Sequence, residues 1–172
     1  MLALDAYRPD QWHDFFVLVG SGAAALTGLV FVALSLNVNA ITQEAAHRYR
    51  AIDNLSGMAG VFVICALVLM GGQDHRAVGI EWFAVAALAI AVYLHGYGQA
   101  VRLRGNAALL RGGRVVVMAV LYAAQLVGAA VLVADYVAGL YLAAIAMVAA
   151  LAFMITGAWL LVVESNALDP GP

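Results

Sequence analysis

His95, Gln99 and Arg102 stand at i, i+4 and i+7 of an otherwise apolar stretch. On a helix this spacing puts an imidazole, an amide and a guanidinium on one face. His95 is the only strongly ionisable group, Tyr and Cys65 aside, within five stretches that lack Asp, Glu, Lys and Arg. An ionisable group in a membrane span is costly and is a functional candidate by default. The chemistry open to it is proton or ion transfer. The structural alternative is a hydrogen bond to a neighbouring helix or a lipid headgroup. At ~1.5 Å per residue, His95 lies about 10 Å from Arg102 along the axis, in the end third of its span.

Gln125, near the middle of the fourth stretch, has the same two readings: interhelical hydrogen bonding or a place along a pore. Asn37 and Asp53 stand where such a path would open. Asp53 with Arg102, and Glu164 with Arg114, are candidate ion pairs at the helix ends. Other chemistry finds little support. The chain has no HExxH, no CxxC, no Gly-rich phosphate loop and no paired carboxylates. Ser21, in Gly20-Ser21-Gly22, is roughly 9 Å from one end of its span, and His95 is roughly 20 Å from the same side. A nucleophile and its base must come within hydrogen-bond reach, so no serine enzyme is expected. His13, Asp14, Asp74, His75 and Asp135 collect on the other side, but without ligand spacing. The expectation is a protein that is not an enzyme, with no metal and no cofactor.

The elements that position these residues follow from the charge pattern. Residues 15–43, 54–73, 82–101, 115–134 and 136–163 contain no Asp, Glu, Lys or Arg. About 20 apolar residues cross a hydrocarbon core of roughly 30 Å. The pattern therefore predicts an all-α integral membrane bundle of five transmembrane helices, with spans at about 15–36, 55–71, 82–101, 115–134 and 140–163. Residues 1–172 read as a single transmembrane domain. The turn between the fourth and fifth spans is the weak point, since a re-entrant bend there leaves four crossings. The second helix is expected to begin before its span, because Glu44 and Arg48 form an i, i+4 pair.

Composition agrees. Hydrophobic residues make up 66% of the chain and charged residues 10%, against ~45–50% and ~25% in soluble domains. The mean hydropathy is +0.97. A net charge of −2 without a basic stripe gives no reason to expect a nucleic-acid partner. All eight basic residues are Arg, a bias that fits a GC-rich bacterial genome. Cys65 is the single cysteine and cannot form an internal disulfide. Asp5, Asp10 and Asp14 outnumber Arg8, so the start reads as a retained span rather than a signal peptide.

Arg48, Arg50, Arg102, Arg104, Arg111 and Arg114 lie on one side, Arg8 and Arg76 on the other. By the positive-inside rule the first and third loops are cytoplasmic, the N-terminus is outside and the C-terminus is cytoplasmic. The expected location is the inner membrane. Arg102, Arg104, Arg111 and Arg114 are candidates for anionic lipid, at about 1 kcal/mol each. No Asp or Glu lies in any stretch, which disfavours an acid-driven pump. Gly20, Ala24 and Gly28, at i, i+4 and i+8, form a small-residue packing stripe, either within one subunit or between subunits. The leading expectation is self-association into a homo-oligomer, with a passive ion or small-solute channel. The alternative is an accessory subunit of a larger assembly, such as a membrane protease or a respiratory complex.

Residues 25–37 read ALTGLVFVALSLN, Gly139-Leu140-Tyr141 follows later, and residues 158–164 read AWLLVVE. In these segments the chain resembles small integral membrane proteins of bacteria, often actinobacterial and mostly uncharacterised. Some similar proteins carry a label as modulators of a membrane-bound AAA protease. The resemblance implies a full-length, single-domain membrane unit. It supplies no catalytic residue.

Overall fold

The computed structural model describes residues 9–38, 45–104 and 112–168. These form five helices: α1 (Pro9–Leu36), α2 (Ala45–Val68), α3 (His75–Arg104), α4 (Gly112–Val133) and α5 (Ala138–Leu168). No strand occurs among the described residues. Each helix holds a stretch long and apolar enough to cross a membrane. The protein is a multi-pass membrane protein with an all-α bundle.

Local signals set the helix ends. Pro9 opens α1, where its missing N–H costs nothing. The Asn37 side chain closes α1 by donating to the Ala33 carbonyl at 2.9 Å. It is thus a C-terminal cap. Asp74 caps α3, accepting from the Ala77 N–H at 2.8 Å. Between α4 and α5, Tyr136 N–H reaches the Val131 carbonyl and Asp135 N–H reaches the Leu132 carbonyl, both at 3.1 Å. Asp135 has φ 71°. This is a Schellman closure, with aspartate in the left-handed position that glycine usually fills.

The predicted boundaries move in one informative place. The second span was expected at 55–71. The helix begins before that span, as expected, and is described from Ala45 to Val68; its stretch long and apolar enough to cross a membrane covers Arg48–Val68. Asp53 lies about 12 Å from the first described residue of α2, at ~1.5 Å per residue.

Helices α2, α3, α4 and α5 touch in sequence, and α5 returns to α2, closing a ring of four. α1 lies outside the ring, against α2 and α5. The His75 and Arg76 contacts to Asp135 put the α2–α3 and α4–α5 turns at one end. α4 and α5 are both membrane-length, so the turn between them joins two complete helices. The opposite end carries the starts of α2 and α4 and the ends of α1, α3 and α5; it is called the Arg-rich end below.

The interior is filled. Trp82, Met58, Met118, Leu132, Leu140, Met147 and Met154 are fully buried. Phe16 of α1 meets Trp82 edge-on, with centroids 6.0 Å apart. α4 and α5 approach through Gly128 and Gly139. A Cβ on Gly128 would lie 2.7 Å from the Ala143 nitrogen and the Gly139 oxygen, and one on Gly139 would strike the Gly128 carbonyl. Without a hydrophobic drive between helices in lipid, such backbone contact supplies the packing energy.

The α1 stripe divides. Phe16, Gly20, Ala23, Val30 and Leu34 form the inner face, and a Cβ on Gly20 would lie 2.8 Å from Cys65 Cβ. Ala24 and Gly28 are exposed, and Gly28 has open space around it. Within the chain, only the first of the three expected packing residues packs.

Candidate functional site

Asp53 and Asn54 are neighbours on α2 and so point about 100° apart, the angle per residue of a 3.6-residue turn. Asn54 turns into the bundle and is wholly buried. Its Oδ1 accepts from the Arg114 guanidinium at 2.8 Å. Its Nδ2 is buried and finds no partner among the described residues.

Arg114 begins α4 and reaches across the interior to α2 and α5. Its Cζ lies 5.0 Å from the Phe153 ring centroid, a cation–π distance. The guanidinium also lies flat against Gly157, where any Cβ would overlap it. Behind this group, Tyr93 of α3 and Tyr122 of α4 are buried, with ring centroids 6.1 Å apart. The Tyr122 hydroxyl approaches Gly57 of α2.

Asp53 is among the residues that line a largely apolar groove between α2 and α3. Tyr49, Ile52 and Asp53 form one wall, and Ala91, Val92, His95 and Gly96 the other. The i, i+3, i+4 spacing on α2 and the i, i+1, i+4, i+5 spacing on α3 put each set on one face. The groove holds about 480 Å³. Arg114 attracts the Asp53 carboxylate through space and donates a hydrogen bond to Asn54. Among the described residues, the Asp53 side chain has no hydrogen bond or ion pair.

The sequence candidates therefore scatter. Asp53 and His95 come together in the groove. Gln99, one turn further, is half-buried and outside the groove lining. Arg102 is exposed and, among the described residues, forms no ion pair with Asp53. Gln125 sits elsewhere, deep between α3 and α4, where the Trp82 indole N–H points to its Oε1 at 3.4 Å. Arg111 and the side chains of Arg104 and Glu164 lie outside the described residues. The half-buried Arg114 turns its guanidinium toward Asn54 and Phe153. Tyr93 is not singled out by the sequence, whereas Asn54 reads as a polar helix end, Tyr122 as a neighbour of Gln125, and Arg114 as a partner for Glu164 or lipid.

The turn end carries a second polar group. The Asp135 carboxylate takes His75 Nε2 at 2.5 Å and Arg76 at 2.5 and 3.1 Å. The Arg76 hydrogen bond, then that of His75, lowers the Asp135 carboxyl to about 2. Gln73 donates to both Glu81 oxygens at 2.9 Å. Among the described residues no three His, Cys, Asp or Glu side chains converge as a metal site. His75 and Asp135 do meet, but Arg76 fills the second carboxylate oxygen. His13 and Asp14 are exposed at the start of α1.

Comparison with protein-family models, curated proteins and solved structures gave no match to this chain.

Proposed function

We propose that the protein is a non-enzymatic, self-associating protein of the bacterial cytoplasmic membrane, joined to its copies through the outer face of α1. The observation that supports this most is the bare small-residue face. Ser21, Ala24, Ala25 and Gly28 are all exposed, whereas Gly20, Gly79, Gly128 and Gly139 each sit where a Cβ would strike a neighbouring helix. Small residues let backbones approach closely in lipid, and among the described residues no helix lies upon this surface of α1. The six-to-two Arg asymmetry supports a cytoplasmic Arg-rich end, with the N-terminus outside.

Any passive ion or small-solute path runs between subunits, because Trp82 and the methionines fill the single bundle. Native mass measurement from lipid nanodiscs tests the reading. The expected result is an oligomer that Gly28→Leu converts to monomer. A wild-type monomer at every protein concentration would sink it. The second reading is an accessory subunit of a larger membrane complex. The filled core favours it, since that role needs no path. It predicts a monomer and liposome ion flux equal to protein-free vesicles.

A further inference from the structure

We propose that the groove between α2 and α3 holds an acyl chain of an anionic phospholipid, whose phosphate is taken by Arg48 and Arg102 at the groove mouth. The site belongs to one chain and does not depend on self-association.

The groove surface is almost wholly apolar, although Asp53 is among its lining residues. The Asp53 carboxylate interacts with Arg114, Tyr93 and Tyr122 on the bundle side. The groove is an open slot: Ile52 on its α2 wall and His95 on its α3 wall are both exposed. Both helices are membrane-length, so the slot opens onto hydrocarbon. An acyl chain fills it without burying a polar group.

The register of the two helices places the arginines. A Cβ on Gly96 would lie 3.8 Å from the Tyr49 Cβ, and one on Gly60 would lie 3.9 Å from the Val85 side chain. Residues 49 and 60 of α2 are thus level with residues 96 and 85 of α3, and the helices run antiparallel. Arg48 precedes Ile52 by one turn, and Arg102 follows His95 by two. Each arginine therefore continues its own wall toward the Arg-rich end. Arg102 lies about 7–8 Å beyond Arg48 along the axis, at ~1.5 Å per residue. Both are exposed. The Arg48 guanidinium sits 5.4 Å from the centroid of the Tyr49 ring, itself part of the groove lining. Among the described residues, neither arginine has an ion pair.

Charge selects the lipid. Two guanidiniums suit a phosphate, which each can bind through two N–H groups. A zwitterionic headgroup would bring its own cation beside them, whereas a headgroup charged only at the phosphate does not. His95 is about 10 Å below Arg102, where a ring N–H can donate to an ester carbonyl of the same lipid.

Native mass spectrometry of the purified full chain in an uncharged detergent, titrated with dioleoyl phosphatidylglycerol or dioleoyl phosphatidylcholine, tests this. The expected result is at least tenfold tighter binding of phosphatidylglycerol. The double variant Arg48→Gln, Arg102→Gln should reduce that ratio to threefold or less. Val92→Trp, which fills the slot and keeps both arginines, should weaken phosphatidylglycerol binding at least fivefold. Monodisperse elution and unchanged helix content show that each variant is folded. If Val92→Trp does not fold, the arginine variant decides, since both of its altered side chains are exposed. Equal affinity for the two lipids overturns the proposal. So does the wild-type ratio in the arginine variant, or wild-type affinity in a folded Val92→Trp.

Discussion

Arg114 donates a 2.8 Å hydrogen bond to Asn54 Oδ1 across the bundle interior, joining residues 60 positions apart. The bond ties the start of α4 to α2. The same guanidinium attracts the neighbouring Asp53 carboxylate through space.

Arg114→Leu should destabilise the protein by about 1–3 kcal/mol, since the buried Asn54 then has neither donor nor water. The double variant Arg114→Leu, Asn54→Leu should recover part of that loss. Thermal unfolding in detergent, run as a double-mutant cycle, measures the coupling. Additive losses would show that the bond contributes nothing.

Gly139→Val should be among the most damaging single changes. The added side chain meets the Gly128 carbonyl and the Leu132 nitrogen, both backbone atoms that cannot rotate away. Overpacking costs about 1–3 kcal/mol, or more where backbone must shift. The unfolding temperature reads this directly, and an unchanged value would contradict the α4–α5 contact.

Gln125→Leu should be mild. Polar contacts between membrane helices average roughly 0.6 kcal/mol, and the Trp82 contact is long at 3.4 Å. Trp82 fluorescence should shift to the blue as its N–H loses its acceptor. A large loss of stability would mean that Gln125 does more than receive this bond.

The Asp135 clasp has a defined pH window. Its carboxyl is lowered to about 2 by Arg76 and then His75, against an unfolded value of about 3.9. A lowered carboxyl stabilises the fold above the unfolded value and loses that contribution as pH falls through the folded one. The unfolding-temperature difference between wild type and Asp135→Asn should therefore hold from pH 7 to pH 5. It should shrink below pH 4 and be nearly gone at pH 2. All three side chains are exposed, so the effect is small.

The helices were legible because charge is costly in hydrocarbon, and the gaps between charges mark them. The same pattern put Asp53 on the stretch of the second helix that precedes its span, and the helix described from Ala45 carries it there. The direction of Arg114 was hidden. Counting arginines gives the side of the membrane but not the direction of a side chain, and this one turns inward onto Gly157 and Phe153. The α1 stripe divides between the buried Gly20 and the exposed Ala24 and Gly28 for a geometric reason. Four residues turn a helix by about 400°, so an i, i+4, i+8 row drifts about 80° around the axis by its third member. The buried face avoids the drift by alternating steps of four and three, through Phe16, Gly20 and Ala23. At the turn end the sequence brought His75 and Asp135 to one side but not into a pair, because they are 60 residues apart.

Self-association through α1 is tested most directly by disulfide cross-linking in native membranes. A Gly28→Cys variant in a Cys65→Ala background carries one thiol, on the exposed small-residue face. Under mild oxidant the account predicts a covalent dimer at high yield, reversed by reductant. A chain that stays monomeric under the same oxidant would contradict it.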